Sequence, residues 1–215
     1  MIVFSGIDSS GKSTQIRYLN RYFRTQGNRT SIVWSRGGYT SGMEVIKKII
    51  RWLFKSDSIP EPGDEENHKK VFKNTRIAKI WLGMAISDLI RLYSIQLKIM
   101  NDLGFIIICD RYINDTLIDF RMKFPGIDFE RWILWRLLEK TALKPYKSIL
   151  LEISIEESLC RSEEKNEPFP ESEKDRRRRY NCYMELKAEG KWDIVIDGQN
   201  DREAIFHRIK DEVNL

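Results

Sequence analysis

Gly6-Ile7-Asp8-Ser9-Ser10-Gly11-Lys12-Ser13 follows directly on the apolar run Ile2-Val3-Phe4 and leads into Thr14-Gln15-Ile16-Arg17-Tyr18-Leu19-Asn20-Arg21-Tyr22-Phe23. The spacing, two glycines five apart with Lys-Ser after the second, is that of a phosphate-binding loop between a β-strand and an α-helix. Gly6 and Gly11 let the backbone curl until consecutive N–H groups point at phosphate oxygens. Ser9, Ser10 and Thr14 sit in or next to the same cradle, and the helix that follows turns its positive dipole end toward the anion. Lys12 adds a charge for the outer phosphates, and the Ser13 hydroxyl is placed to ligate Mg²⁺. Asp8 within the loop is either a carboxylate of the reacting site or a turn-stabilising side chain.

Outward from this loop, strand-like segments at Ile2–Phe4, Ser31–Trp34, Phe105–Cys109, Ser148–Glu152 and Asp193–Ile196 alternate with helical patterns. The strands are short and apolar nearly throughout. That predicts an α/β fold with a five-stranded parallel sheet flanked by helices on both faces. Helices are expected over Lys12–Gln26, Gly42–Phe54, Lys69–Asn101, Phe129–Thr141, Ile155–Glu163, Lys174–Glu189 and Asp201–Asp211, and an exposed loop over Ser56–Asn67. The 215 residues suit one domain, with 41% hydrophobic content for its core.

Composition narrows the partners. The 37 basic residues are interleaved with 32 acidic ones, and the basic excess is concentrated in Arg176-Arg177-Arg178-Arg179, which fits a small anionic ligand better than nucleic acid. No stretch approaches the roughly 20 apolar residues of a membrane span, and a strand starting at Met1 leaves no room for a signal peptide, so a cytoplasmic protein is expected. Cys109, Cys160 and Cys182 are far apart and in no metal-like spacing, which favours reduced thiols.

A phosphate loop alone does not separate GTPases, ATP-driven motors and small-molecule kinases. Ile106-Ile107-Ile108-Cys109-Asp110-Arg111-Tyr112 narrows the choice, because it ends an apolar strand with an acid and a guanidinium where the crevice of an open parallel sheet lies. Asp110 can order a Mg²⁺ ion or its water, and Arg111 can grip a phosphate through its planar fork. The plainer alternative is an ion pair at the strand end. The chain contains no Asn-Lys-x-Asp guanine signature and no Asp-x-x-Gly after a strand, which argues against a GTPase.

Phe4 through Gln15, then Asp110-Arg111-Tyr112, then Val195-Ile196-Asp197-Gly198, resemble the thymidylate kinase family in order and spacing along nearly the whole chain. The resemblance implies a P-loop nucleoside monophosphate kinase fold forming a single domain over 1–215, with ATP as donor and Mg²⁺ as metal. It further implies conversion of dTMP and ATP to dTDP and ADP, a homodimer, and a mobile basic lid over roughly 161–179. Asp8 resembles the family carboxylate between metal and acceptor sugar. Some members carry an arginine in the loop where this chain has Ser9, so the charge for the transferring phosphoryl is expected from the lid, from Arg161 or from the 176–179 run with Arg176 and Arg177 foremost. That run can equally be a solvated helix face.

On the acceptor side the family presents a ring that stacks on thymine and, three residues later, an Asp-Arg pair. Here Ala85 stands in the place of the ring, Asp88 matches the acid, Leu89 replaces the arginine, and Arg91 lies half a turn further on. After Asp110-Arg111-Tyr112 the family carries a serine and a Tyr-Gln pair around the base, whereas this chain has Asp115 and Asp119, four apart on one helix face. They read either as an exposed face or as part of a pocket for hydroxyls or amines. Tyr112 and the loop residues Arg36 and Tyr39 complete the candidate acceptor set. Two further readings stand beside the thymidylate one: a kinase of another phosphorylated or hydroxylated small molecule, and a nucleotide-binding regulatory module without turnover.

Overall fold

The computed structural model describes residues 1–35, 75–165 and 171–213. Five strands, β1 (Ile2–Ser5), β2 (Thr30–Trp34), β3 (Ile106–Asp110), β4 (Lys147–Glu152) and β5 (Ile194–Asp197), form one sheet in the order β2-β3-β1-β4-β5. Every pairing is parallel. The chain runs from β1 toward β2 on one side and later crosses to β4 on the other. The C-terminal end of β1 therefore lies where the winding reverses, the place at which open parallel sheets bind ligands.

Alternation along the strands feeds two apolar layers. Ile2, Phe4, Ile108, Ile149, Leu151, Ile194 and Ile196 pack with α1 (Lys12–Thr25) and α8 (Arg202–Glu212) through Ile16, Leu19, Phe23, Ile205 and Ile209. Val3, Ile107, Cys109 and Leu150 face the larger layer, built from α2 (Thr75–Ile90), α3 (Leu97–Asp102), α4 (Ile113–Lys123), α5 (Ile133–Thr141) and α7 (Glu173–Ala188). Each fully buried Ile or Leu contributes about 1.5–3 kcal/mol over its exposed state. The edge strand β2 departs from the expectation of two covered faces, since Ile32 and Trp34 are 45% and 54% exposed.

The helices differ from the sequence expectation in three places. The long helix expected over Lys69–Asn101 is described from Thr75 and is interrupted by a π-helical segment, Arg91–Gln96, before α3. The helix expected from Phe129 begins instead with a 3₁₀ turn, Phe129–Arg131, and becomes α-helical at Ile133. Helix α4 has no span among the expected helices, although Asp115 and Asp119 are expected on one helix face, and both are buried, which rules out the exposed face. The expected helix Gly42–Phe54, the loop Ser56–Asn67, Arg36 and Tyr39 lie outside the described residues. So does part of the expected lid, between α6 (Ile155–Glu164) and α7.

Candidate functional site

The phosphate loop leaves β1 at Gly6 and enters α1 through Gly11, which caps the helix in a left-handed conformation. Gly6 has φ +140°, and a Cβ there would lie 2.4 Å from the Leu151 carbonyl oxygen of β4. Ser9 also has positive φ, and Ser10 is buried. Within this curl Lys12 donates to the carbonyls of Gly6 (2.9 Å) and Ile7 (2.7 Å) and to Ser10 Oγ (3.2 Å). Ser13 is exposed at the start of α1, with Thr14 partly buried beside it. Thr14 N and Gln15 N bond the Gly11 carbonyl (3.1 and 3.2 Å), and the Lys12 and Ser13 N–H groups ahead of them are the helix-start donors for an anion.

Burial, reinforced by the nearby Arg111 charge, pushes the Lys12 ammonium down to about 8 against the partial opposition of Asp8, Asp110 and Asp115. An anion binds the charged form. Affinity for inorganic triphosphate is therefore expected to hold up to about pH 8 and to weaken by up to roughly tenfold per unit above it. Titration calorimetry at about pH 7.5 and 9.5 checks this, and equal affinities would contradict the assignment of Lys12 as the loop cation. Folding shows the opposite sign. The folded value lies below the ordinary 10.5, so Lys12 adds stability as pH rises through the window from about 8 to 10.5.

The β1–β3 register pairs Phe4 with Asp110 and so brings the second motif beside the loop. Asp110 Oδ1 is buried and has no hydrogen-bond partner among the described residues. Burial raises the Asp110 carboxyl, with Lys12 and Arg111 holding it back. A buried carboxylate oxygen with an unfilled lone pair at a phosphate site suits a hard cation, which takes one or two protein oxygens and completes its shell with phosphate and water. Asp110 and the exposed Ser13 hydroxyl are the residues that fit Mg²⁺.

Arg111 is a buried, non-glycine residue at φ +76°. Burial opposes its charge, but facing Tyr183, Asp8 and Asp115 outweigh it and hold the guanidinium well above its ordinary value. Its Nη2 pairs with Asp8, and its Nη1 donates to Tyr183 Oη (3.1 Å) and Gly6 O (3.4 Å). Strained backbone held by surrounding structure is typical of functional positions. Asp8, Lys12, Asp110 and Arg111 thus occupy one end of two adjacent strands.

The arginine run divides by helical period. Arg177 and Arg178 point outward from α7, whereas Arg176 and Arg179 point inward. Arg176 is fully buried and donates to Ser158 O (2.7 Å), Ser158 Oγ (2.8 Å) and Ser162 Oγ (3.2 Å) on α6. Ser158 in turn donates to Asp8 O (2.8 Å), which ties α6 to the phosphate loop. Arg179 Nη1 lies 2.5 Å from Asp119, and its Nε bonds Glu171. Arg161 pairs with Glu157 at 2.6 Å, and Arg177 pairs with Glu173 at 2.8 Å.

The acceptor-side candidates are scattered. Ala85 and Leu89 are buried in the apolar layer beneath α2, while Asp88 pairs with the half-exposed Arg91 at 2.9 Å. The Tyr112 ring packs against Tyr93 with centroids 4.3 Å apart, and its hydroxyl donates to Leu143 O. Asp115 accepts from Ser5 Oγ (2.6 Å), Tyr112 N (3.0 Å) and Tyr183 Oη (2.5 Å). Sequence reasoning singled out neither Tyr183 nor Ser158. The period of three to four that joins Tyr183 to Arg176 and Arg179 on one face of α7 was the available signal.

Among the described residues no helix is long and apolar enough to cross a membrane. Comparison with known proteins gives the family. The thymidylate kinase of Caldicellulosiruptor saccharolyticus is 26% identical over 97% of this chain and 93% of its own length. That of a Sulfurihydrogenibium species is 28% identical over 99% of this chain and 95% of its own, and that of Dehalococcoides mccartyi is 26% identical over 100% and 95%. These alignments take in the phosphate loop, and the family model for thymidylate kinase matches residues 65–209, which carry Asp110-Arg111, the arginine run and β5. With two thirds of its length matched, this chain belongs to the thymidylate kinase family.

Proposed function

We propose that this protein transfers the γ-phosphoryl group of ATP to a nucleoside monophosphate, with thymidylate, the acceptor in its relatives' names, as its substrate. The observation that carries the reading is the convergence of Lys12, the unpartnered Asp110 oxygen and the strained, buried Arg111 at adjacent strand ends. Phosphoryl transfer needs positioning and charge neutralisation more than covalent chemistry. In this reading Lys12 neutralises the β- and γ-phosphates, the α1 amides bind the phosphate oxygens, and Arg111 orients the acceptor phosphate. Ser13 and Asp110 would hold Mg²⁺, which would neutralise donor-phosphate charge. Asp8 faces Arg111 and limits where its fork can point. A cytoplasmic location and a homodimer accompany the proposal through the family.

The lid charge is assigned to Arg161 and Arg177. Arg177 and Glu173 are both exposed, and such pairs are worth about 0–1 kcal/mol, so that guanidinium can leave for a phosphate at little cost; Arg161 is held by a single carboxylate in a partly buried pair. Arg176 would have to abandon three buried bonds. Arg161→Ala or Arg177→Ala is expected to lower kcat about tenfold or more while the KM for ATP changes less, because the contact matures as the lid closes. Full kcat in both variants would return the pair to the role of a solvated face.

A second reading, a different small-molecule acceptor, is favoured by one finding: Ala85 and Leu89 face the core, and Asp115 and Asp119 are committed to buried partners. A coupled ADP-release assay over thymidine, uridine, cytidine and guanosine monophosphates separates the two. Thymidylate leading the panel supports the proposal. A higher kcat/KM on another acceptor, with thymidylate well below about 10⁵ M⁻¹s⁻¹, supports the second reading.

A further inference from the structure

Helices α4 and α7 are joined by two polar rungs one turn apart. Asp115 meets Tyr183, and Asp119 meets Arg179. All four side chains are buried. A buried carboxylate without partners would cost several kcal/mol, so these contacts fix the two helices against each other. The upper rung continues into the site. Tyr183 Oη donates a hydrogen bond to Asp115 Oδ1 at 2.5 Å and accepts one from Arg111 Nη1 at 3.1 Å. Arg111 Nη1 and Asp115 Oδ1 form only a long ion pair, at 3.7 Å.

That geometry decides where the guanidinium rests. A bare arginine and carboxylate at this distance would close into a direct pair. The phenol bonds both and offers Arg111 a neutral oxygen, so that the pair with Asp115 stays long while Nη2 stays on Asp8. Burial and the adjacent Asp115 raise the Tyr183 hydroxyl well above its ordinary value, so it stays protonated as a donor. The helix that carries Tyr183 also carries Arg176, tied through Ser158 to the Asp8 carbonyl, and Arg179, tied to Glu171 ahead of α7.

We infer that Tyr183 is a positioning residue that holds Arg111 away from Asp115 and aimed at the strand-end crevice, and that it couples α7 to the acceptor phosphate. This rests on the proposed role of Arg111 as the acceptor-phosphate ligand. Removing the hydroxyl lets Arg111 fall onto Asp115 and costs the acceptor one well-placed charged contact, roughly tenfold or more in kcat/KM.

The test is Tyr183→Phe in the full chain, with acceptor and ATP kinetics, melting temperature, and the Arg111 guanidinium ¹⁵N resonances assigned through Arg111→Lys. The expected result is a folded protein with acceptor kcat/KM reduced about tenfold or more, KM for ATP within about twofold, and shifted Arg111 resonances. Unchanged acceptor kinetics would overturn the inference. So would acceptor and ATP constants that worsen together with a large fall in melting temperature, which is what a purely structural role produces. Should Tyr183→Phe fail to fold alone, it is made in the Asp115→Asn background, where no carboxylate is left to capture Arg111: acceptor kcat/KM within about threefold of Asp115→Asn supports the inference, and a further loss of about tenfold overturns it. If the wild-type protein phosphorylates none of the acceptors, the proposed function fails separately. The resonances, measured without substrate, then decide the positioning role, and no change on Tyr183→Phe rejects it.

Discussion

Lys12→Ala is expected to leave a folded protein whose turnover falls by about 10²-fold or more. The loss follows from the proposed role: the ammonium lies inside the curl of the loop, on the carbonyls of Gly6 and Ile7, and is proposed to neutralise the donor's outer phosphates. The fold survives because the folded state holds this cation against its preference, as its depression to about 8 indicates. Alanine therefore removes a desolvated charge rather than a stabilising one. The Gly6 carbonyl also retains the Arg111 Nη1 contact. Steady-state kinetics beside a melting curve check both halves. Full activity would remove Lys12 from the mechanism, and a collapsed melting temperature would make the loss uninformative about chemistry.

Gly6→Ala is expected to cause the largest loss of stability of any single methyl added to the loop. The new Cβ would sit 2.4 Å from Leu151 O and 2.8 Å from Ser10 Oγ, at a φ of +140° that L side chains rarely adopt. Leu151 belongs to the strand beside β1, so relief requires moving backbone in the centre of the sheet. Conformational strain of about 1–3 kcal/mol adds to that collision, and a total near 3 kcal/mol lowers the melting temperature by about 6–12 °C in a chain of this length. Gly11→Ala is the control. It has positive φ as well, but no atom lies within 4 Å of its added Cβ, so strain alone acts there and the shift is smaller. Equal shifts in the two variants would show that the crowding at Leu151 is not what demands glycine.

The sheet was legible in the sequence because each strand is a short apolar run ended by a turn or a charged residue, and a parallel sheet leaves no other use for such runs. The phosphate loop and Asp110-Arg111 were legible for the same local reason: their chemistry is written in consecutive residues. What escaped was set by contacts between distant segments. Helix α4 has polar residues on its buried face, since Asp115 and Asp119 are matched by Tyr183 and Arg179 some 60–70 residues later, and a hydrophobic period cannot reveal a face buried by polar pairing. The split of the arginine run into inward Arg176 and Arg179 and outward Arg177 and Arg178 follows the helical period, yet only the positions of Ser158 and Asp119 show what the inward guanidiniums bond. The π-helical turn at Arg91–Gln96 left no mark in composition. Arg36 and Tyr39 lie outside the described residues, so the acceptor loop stays an expectation from sequence.

The central claim is phosphoryl transfer to an acceptor at this strand-end site, and product analysis tests it most directly. Incubated with ATP, Mg²⁺ and thymidylate, the wild-type protein should form thymidine diphosphate and ADP one for one, resolved by ion-exchange chromatography, and Lys12→Ala should form neither at a comparable rate. ADP released without a diphosphate product from thymidylate, uridylate, cytidylate or guanylate, or no ADP at all from a folded protein that binds ATP, would contradict it.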